Sequence, residues 1–211
     1  MNSTPSSRQL FTIGHSNLEW PTFAQTLLSF GIDLLVDVRS RPHSSRFPQF
    51  SQPDFESALR EAGYLYLFLG EELGGRPEDP KAYGSNGVVN YSVRRRAHDF
   101  QRGVDRVLAE MQQHTLALLC AEEDPLSCHR FLMVCPELVT REVAALHIRK
   151  GGVLETQRES EDRLLDAHHF SDVTSGALFP VGRAAALDDA YAAQAQKCAF
   201  RVDPQIVGSF G

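Results

Sequence analysis

Residues 116–131 read LALLCAEEDPLSCHRF, and the architecture follows from how this stretch changes character. Leu116 to Cys120 is an apolar run short enough for one buried strand. Polarity then rises at once through Glu122, Glu123 and Asp124 to Pro125, which blocks continuation, and on to Ser127 and the triplet Cys128-His129-Arg130. Phe131-Leu132-Met133-Val134 opens a helical pattern. A buried strand that runs into a polar loop ahead of a helix N-terminus is where open α/β sheets take their ligands. The stretch locates a site and leaves its reaction unnamed.

The same alternation runs outward in both directions. Leu10-Phe11-Thr12-Ile13 reads as a first strand ending in Gly14-His15-Ser16-Asn17, and Pro21 then starts a helix carrying Phe23, Leu27, Leu28 and Phe30, closed by Gly31. Residues 34–38 form a second strand, apolar apart from Asp37, as the interior of a parallel sheet requires. A basic loop from Arg39 to Phe50 follows, then a helix over 53–62 with Ser51 as its expected N-cap, and a third strand over 64–69. The Gly70–Asn90 segment reads as a lid or binding loop. Residues 91–113 read as one long helix whose outer face begins with Arg94-Arg95-Arg96. A helix over 129–141 and a fifth strand over 144–148 complete the pattern. It predicts an α/β fold, a three-layer sandwich with a mainly parallel sheet of about five strands. This domain spans residues 1–169, and residues 170–211 form a C-terminal helical extension packed on it.

Composition bounds the function. The chain has 211 residues and a net charge of −6, which argues against a protein coated in basic patches. Residues 1–150 carry 16 Lys+Arg against 18 Asp+Glu, and 151–211 carry 5 against 9, so the acidic surplus is concentrated in the C-terminal part. Lysine occurs only at 81, 150 and 197; the arginine-dominated remainder suits planar grip on phosphate or carboxylate. No apolar stretch approaches a membrane span and residues 1–8 lack a signal-peptide core, which makes the expected location cytoplasmic and the expected thiols reduced. No membrane partner is expected, and neither the oligomeric state nor any cofactor can be read.

Several polar groups fall at predicted strand ends, and in a parallel sheet those ends share one edge. Glu122, Cys128, Asp37 and His15 are the candidate catalytic residues; Arg39, Ser40, Arg46, His129 and Arg130 are the candidates for holding an anion. Cys128 beside a helix start favours its thiolate, whereas burial opposes it. Arg130 sits where the helix dipole disfavours a cation, so a carboxylate such as Glu122 or Asp37, or a bound anion, is expected to compensate it. Glu123 and Asp124 are expected to be solvated. Cys120 and Cys128 with His129 match no closed zinc spacing, so no metal ligands are assigned, although a metal-binding protein using Cys and His stays open as an alternative. Walker, GxGxxG and GxSxG motifs are absent.

Taken together, TIGHS (12–16), LLVDVRSRPHSSRFPQF (34–50), Gly63-Tyr64-Leu65-Tyr66, ELGG (72–75), LLCAEEDPLSCHR (118–130) and His147-Ile148 resemble domain-of-unknown-function family 488 over residues 10 to about 165. The resemblance implies an α/β sandwich with a site at the Asp37–Arg39 and Glu122–Arg130 motifs. It implies no established substrate. VDVR after a strand is also similar to rhodanese-like sulfurtransferases, yet neither Cys120 nor Cys128 begins their CxxGxR-like cradle. The expected function is an enzyme acting on a phosphate-bearing substrate, a nucleotide or nucleic acid. The alternative from another class is a non-catalytic module that binds nucleic acid or protein through its arginine loops.

Overall fold

The computed structural model describes residues 9–170 and 182–204. Strands β1 (Leu10–Gly14), β2 (Leu34–Asp37), β3 (Leu65–Phe68), β4 (Leu116–Cys120), β5 (Ala145–Ile148) and β6 (Leu154–Thr156) form one sheet in the order β3-β2-β4-β1-β5-β6. All neighbours are parallel except β5 and β6. The alternation of side chains explains the layering. Phe11, Ile13, Leu35, Ala117 and Leu119 point to one face, while Leu10, Leu34, Val36, Leu116 and Leu118 point to the other. Both faces are apolar, so both must be covered, and the result is the expected three-layer α/β sandwich.

Helices α1 (Trp20–Ser29) and α2 (Asp54–Glu61) cover the first face through Phe23, Leu27, Phe55 and Leu59. The second face meets the short helices α3 (Gly70–Leu73) and α4 (Tyr91–Arg95), together with α5 (His98–Glu110), α6 (Cys135–Thr140), α7 (Gln157–Ala167) and α8 (Arg183–Cys198). Among the described residues, no helix is long and apolar enough to cross a membrane.

Four sequence expectations are revised. The sheet has a sixth strand: Leu154–Thr156 is too short to show a period and forms by hairpin pairing with β5. The helix expected over 91–113 breaks at Arg96-Ala97, because Arg94 turns inward. Its guanidinium, 2% exposed, donates to Asp99 at 2.7 Å and to the Glu71 and Glu72 carbonyls at 3.1 and 2.6 Å, capping α3 rather than facing solvent. Ser51 is not the cap of α2; its hydroxyl accepts from the Ser44 N–H and ties down the basic loop. Leu28, counted in the apolar period of α1, is exposed.

Candidate functional site

Strands β2, β4 and β1 lie side by side and parallel, so their C-terminal ends open on one edge. Backbone pairing continues past the strands: the His15 and Ser16 N–H groups donate to the Cys120 and Ala121 carbonyls, and Val38 donates to Leu119. This fixes the loops that leave the sheet. A cavity of about 420 Å³ opens there, lined by His15, Arg39, Ser40, Cys120, Glu122 and His129 among others. A larger cavity of about 660 Å³ lies between α1 and the β5 end, but it has no thiol or histidine on its wall, and its Glu123 and Arg149 are paired with each other.

Asp37 and Arg39 form a buried clamp. The Asp37 carboxylate accepts from Arg39 Nε and Nη2, from the Arg39 backbone N–H at 3.0 Å, and from the Tyr66 hydroxyl at 2.8 Å. Arg39 Nη1 donates to the Phe50 carbonyl and to His15 Nε2 at 3.2 Å, so only one Nη2 hydrogen is left for the cavity. His15 must then accept at Nε2 and donate from Nδ1 to the Ser16 carbonyl. It stacks on Phe50 at 4.3 Å, and burial, followed by the Arg39 charge, lowers its pKa to about 4. His15 and Asp37 both orient Arg39.

The Glu122–Arg130 loop forms the floor. Arg130 is fully buried, with no place on the cavity wall. No carboxylate among the described residues pairs with it directly, but the Glu122 charge acts on it, as expected, after those of Cys128 and Cys120. Its Nη1 and Nη2 donate to the Glu122 and Glu123 carbonyls at 2.6 and 2.8 Å, its Nε donates to Thr12 Oγ1, and Cys128 supplies negative charge beside it. Glu123 and Asp124 are not simply solvated; they pair with Arg149 and Arg163, which holds both below the usual carboxylate range. The chain turns from this loop into α6 through a π-helical stretch, Arg130–Val134, a local widening that often accompanies functional sites.

Gly14 permits the loop to sit so close. A methyl group there would collide with the Glu122 carbonyl that Arg130 holds. Gly14→Ala is therefore expected to cost about 1–3 kcal/mol by overpacking, read as a lowered denaturant midpoint; an unchanged midpoint would mean that the loop is free to move. Gly75 plays a similar part against the His129 ring.

Cys120, Cys128 and His129 meet beneath the cavity, each offering a ligand atom within 4.8 Å of the others. His129 Nε2 lies 2.8 Å from the Val38 carbonyl and must donate to it, so Nδ1 faces the sulfurs, 3.6 Å from Cys120 Sγ. Cys128 Sγ accepts the Arg130 N–H at 3.4 Å. Burial pushes both thiols up, but the Cys120 hydrogen bond, the Arg130 charge and His129 together hold Cys128 well below the ordinary thiol range, while Cys120 stays well above it. Burial would lower His129, yet its hydrogen bond to Cys128 raises it overall. Cys120 donates to Glu122 Oε2 at 3.0 Å, and burial raises that carboxyl, with Cys128 adding to the effect. Cys135, seven positions after Cys128, is a core thiol that burial pushes up to about 12.

Arg46 lies outside this cavity, exposed, with its guanidinium over Phe47. Arg41 and Arg76 stand on the wall instead. Both are exposed, and neither makes an ion pair among the described residues. Arg76 follows Gly74-Gly75 in the irregular segment, where nothing in its spacing marks it. Its N–H donates to Ser40 Oγ at 2.9 Å, and its side chain covers Phe200. Phe200 and Cys198 complete the wall from the C-terminal side, held by Val89 N–H to the Phe200 carbonyl and by Gln194 to the Leu126 carbonyl. Sequence reasoning did not connect this segment to the site.

Comparison with known proteins gives one family and one structural neighbour. The model described as "Domain of unknown function DUF488" matches residues 19–134, more than half of the chain. No curated protein matches. A solved structure of a DUF442 protein from Shewanella putrefaciens CN-32, which its description proposes to be a phosphatase, is 14% identical; the match covers 95% of this chain and 93% of that one, with a TM-score of 0.37.

Proposed function

The chain belongs to the domain-of-unknown-function family DUF488, and from that membership, which brings no reaction with it, we propose that it is an enzyme acting on a phosphate-bearing substrate, a nucleotide or nucleic acid. One observation carries the reading. Two arginines without carboxylate partners among the described residues, Arg41 and Arg76, stand on the wall of the same cavity whose floor holds Glu122 and Cys120. Arg41, Arg76 and the remaining Arg39 hydrogen grip the anion, and the Ser40 hydroxyl and the His43 ring add polar contacts. Glu122 transfers the proton to or from the reacting oxygen. Cys128 lies too deep to touch a substrate and sets the floor charge; Arg130 holds the floor backbone.

Calorimetric titration with inorganic pyrophosphate and a nucleoside diphosphate tests the anion site. The Arg41→Ala/Arg76→Ala double variant is expected to weaken binding by about 100-fold, the loss of two charge-assisted hydrogen bonds. Glu122→Gln is expected to keep binding and to lower turnover of the same panel by about 10²–10⁴-fold. Equal binding by wild type and double variant overturns the anion site. Binding of single-stranded oligonucleotide that is steeply salt dependent, unaffected by Glu122→Gln and unaccompanied by turnover, selects the non-catalytic module instead.

A further inference from the structure

We propose that Cys120, Cys128 and His129 form a site for one zinc-class divalent ion, with its fourth position open to the cavity. Three independent features of the geometry support it. The three donor atoms lie within 4.8 Å of one another, and the one sulfur–nitrogen distance between Cys120 and His129 is 3.6 Å. Zinc–sulfur and zinc–nitrogen bonds of about 2.3 and 2.0 Å put tetrahedral ligand atoms at about that spacing.

The imidazole is also oriented for ligation. His129 spends Nε2–H on the Val38 carbonyl, which leaves the Nδ1 lone pair toward the sulfurs. A second ring N–H held by a backbone carbonyl is the usual outer-sphere support of a metal-bound histidine. Cys128 Sγ has comparable support from the Arg130 N–H.

Charge balance supplies the third argument. Two cysteine thiolates match the charge of one divalent ion, with the buried Arg130 N–H already on Cys128 Sγ. Soft thiolates with one imidazole select zinc over magnesium or calcium, and three protein ligands with an open position are the pattern of catalytic rather than structural zinc. Sequence spacing hides the site, because Cys120 ends a strand while Cys128 and His129 return from the far side of a loop.

The proposal does not depend on the phosphate reading, since the ion can be counted with no substrate present. Purified full-length protein is reduced, stripped with chelator and titrated with Co²⁺. One equivalent is expected, with thiolate-to-cobalt charge transfer in the near ultraviolet, and Zn²⁺ is expected to displace it. Cys120→Ser is expected to weaken Co²⁺ binding by more than about 100-fold, beyond the 10–100-fold typical of outer-sphere changes.

Should that variant fail to fold, alkylation of the wild type decides. With zinc bound, iodoacetamide should spare Cys120 and Cys128 together and still modify the exposed Cys198; chelator should open Cys120 to modification. Absence of a charge-transfer band, survival of the band in folded Cys120→Ser, or alkylation indifferent to zinc overturns the site. Pyrophosphate binding through Arg41 and Arg76 is scored separately and can fail or succeed on its own.

Discussion

Asp37→Ala is expected to destabilise the protein by about 3–5 kcal/mol, because it leaves the Arg39 guanidinium buried without its counter-ion. Asp37 has no exposed surface and Arg39 is 6% exposed, so water cannot replace the lost carboxylate. The deletion also strands the Tyr66 hydroxyl and the Arg39 backbone N–H, both of which end on Asp37. Equilibrium urea unfolding measures the loss. The Asp37→Ala/Arg39→Met double variant should recover part of it, since removing both charges ends the uncompensated burial. A single-variant loss below about 1 kcal/mol would show that the clamp is wet, against the geometry.

The second large effect is acid lability through two neutral histidines. His147 is buried between Thr12 and Gln157: the Gln157 Oε1 can only accept, so the neutral ring carries its hydrogen on Nε2 and its Nδ1 accepts from the Thr12 hydroxyl, whose oxygen also takes the Arg130 Nε–H. Burial, followed by the Arg130 charge, lowers its pKa to about 4, the same value as His15. The unfolded chain takes up these protons near the ordinary histidine value of 6.5, whereas the folded chain refuses them until about 4. Stability is therefore full above about pH 6.5 and falls as pH drops toward 4. Each shift corresponds to roughly 3 kcal/mol. Glu122 and His129, both raised, act in the opposite sense and favour the fold as pH falls. The ion-paired Glu123, Asp124 and Glu155, held below the usual carboxylate range, add to the loss carried by the two histidines. Urea midpoints at pH 7 and about pH 4.5 should differ by several kcal/mol of stability, a large part of a typical domain's total of about 5–15. Equal midpoints would mean that both rings can protonate in place.

Most of the sheet was legible because both faces of β1, β2 and β4 are apolar and their runs end abruptly in charge. The Leu154–Thr156 strand was not, since three residues show no period and its pairing comes from a hairpin. In the site, strand-end position was enough to bring His15, Arg39, Ser40, Glu122 and His129 onto one cavity. Sequence could not separate the arginines that face substrate space from those consumed by the fold. Arg130 and Arg94 satisfy backbone carbonyls, whereas Arg76, in an irregular segment, reaches the wall. That distinction depends on which carbonyls each loop leaves unpaired, and no local pattern records it. The contribution of Phe200 was hidden for a similar reason: it reaches the wall through a long-range antiparallel bridge of Val88 with Arg201, closed by Val89 N–H to the Phe200 carbonyl and Val202 N–H to the Gly87 carbonyl.

The strand order has a consequence for how the chain reaches this state. β1 is flanked by β4 and β5, and Leu10 pairs with Leu116 on one side and with Ala145 on the other. During synthesis the first strand, buried along its whole length in the finished sheet, has no partner until more than a hundred further residues have been made. Closing so long a loop precedes any gain from pairing, which places the chain among slow, topology-limited folders. Until then its apolar edge is open to other nascent chains, and holding that edge apart is the principal hazard of its assembly.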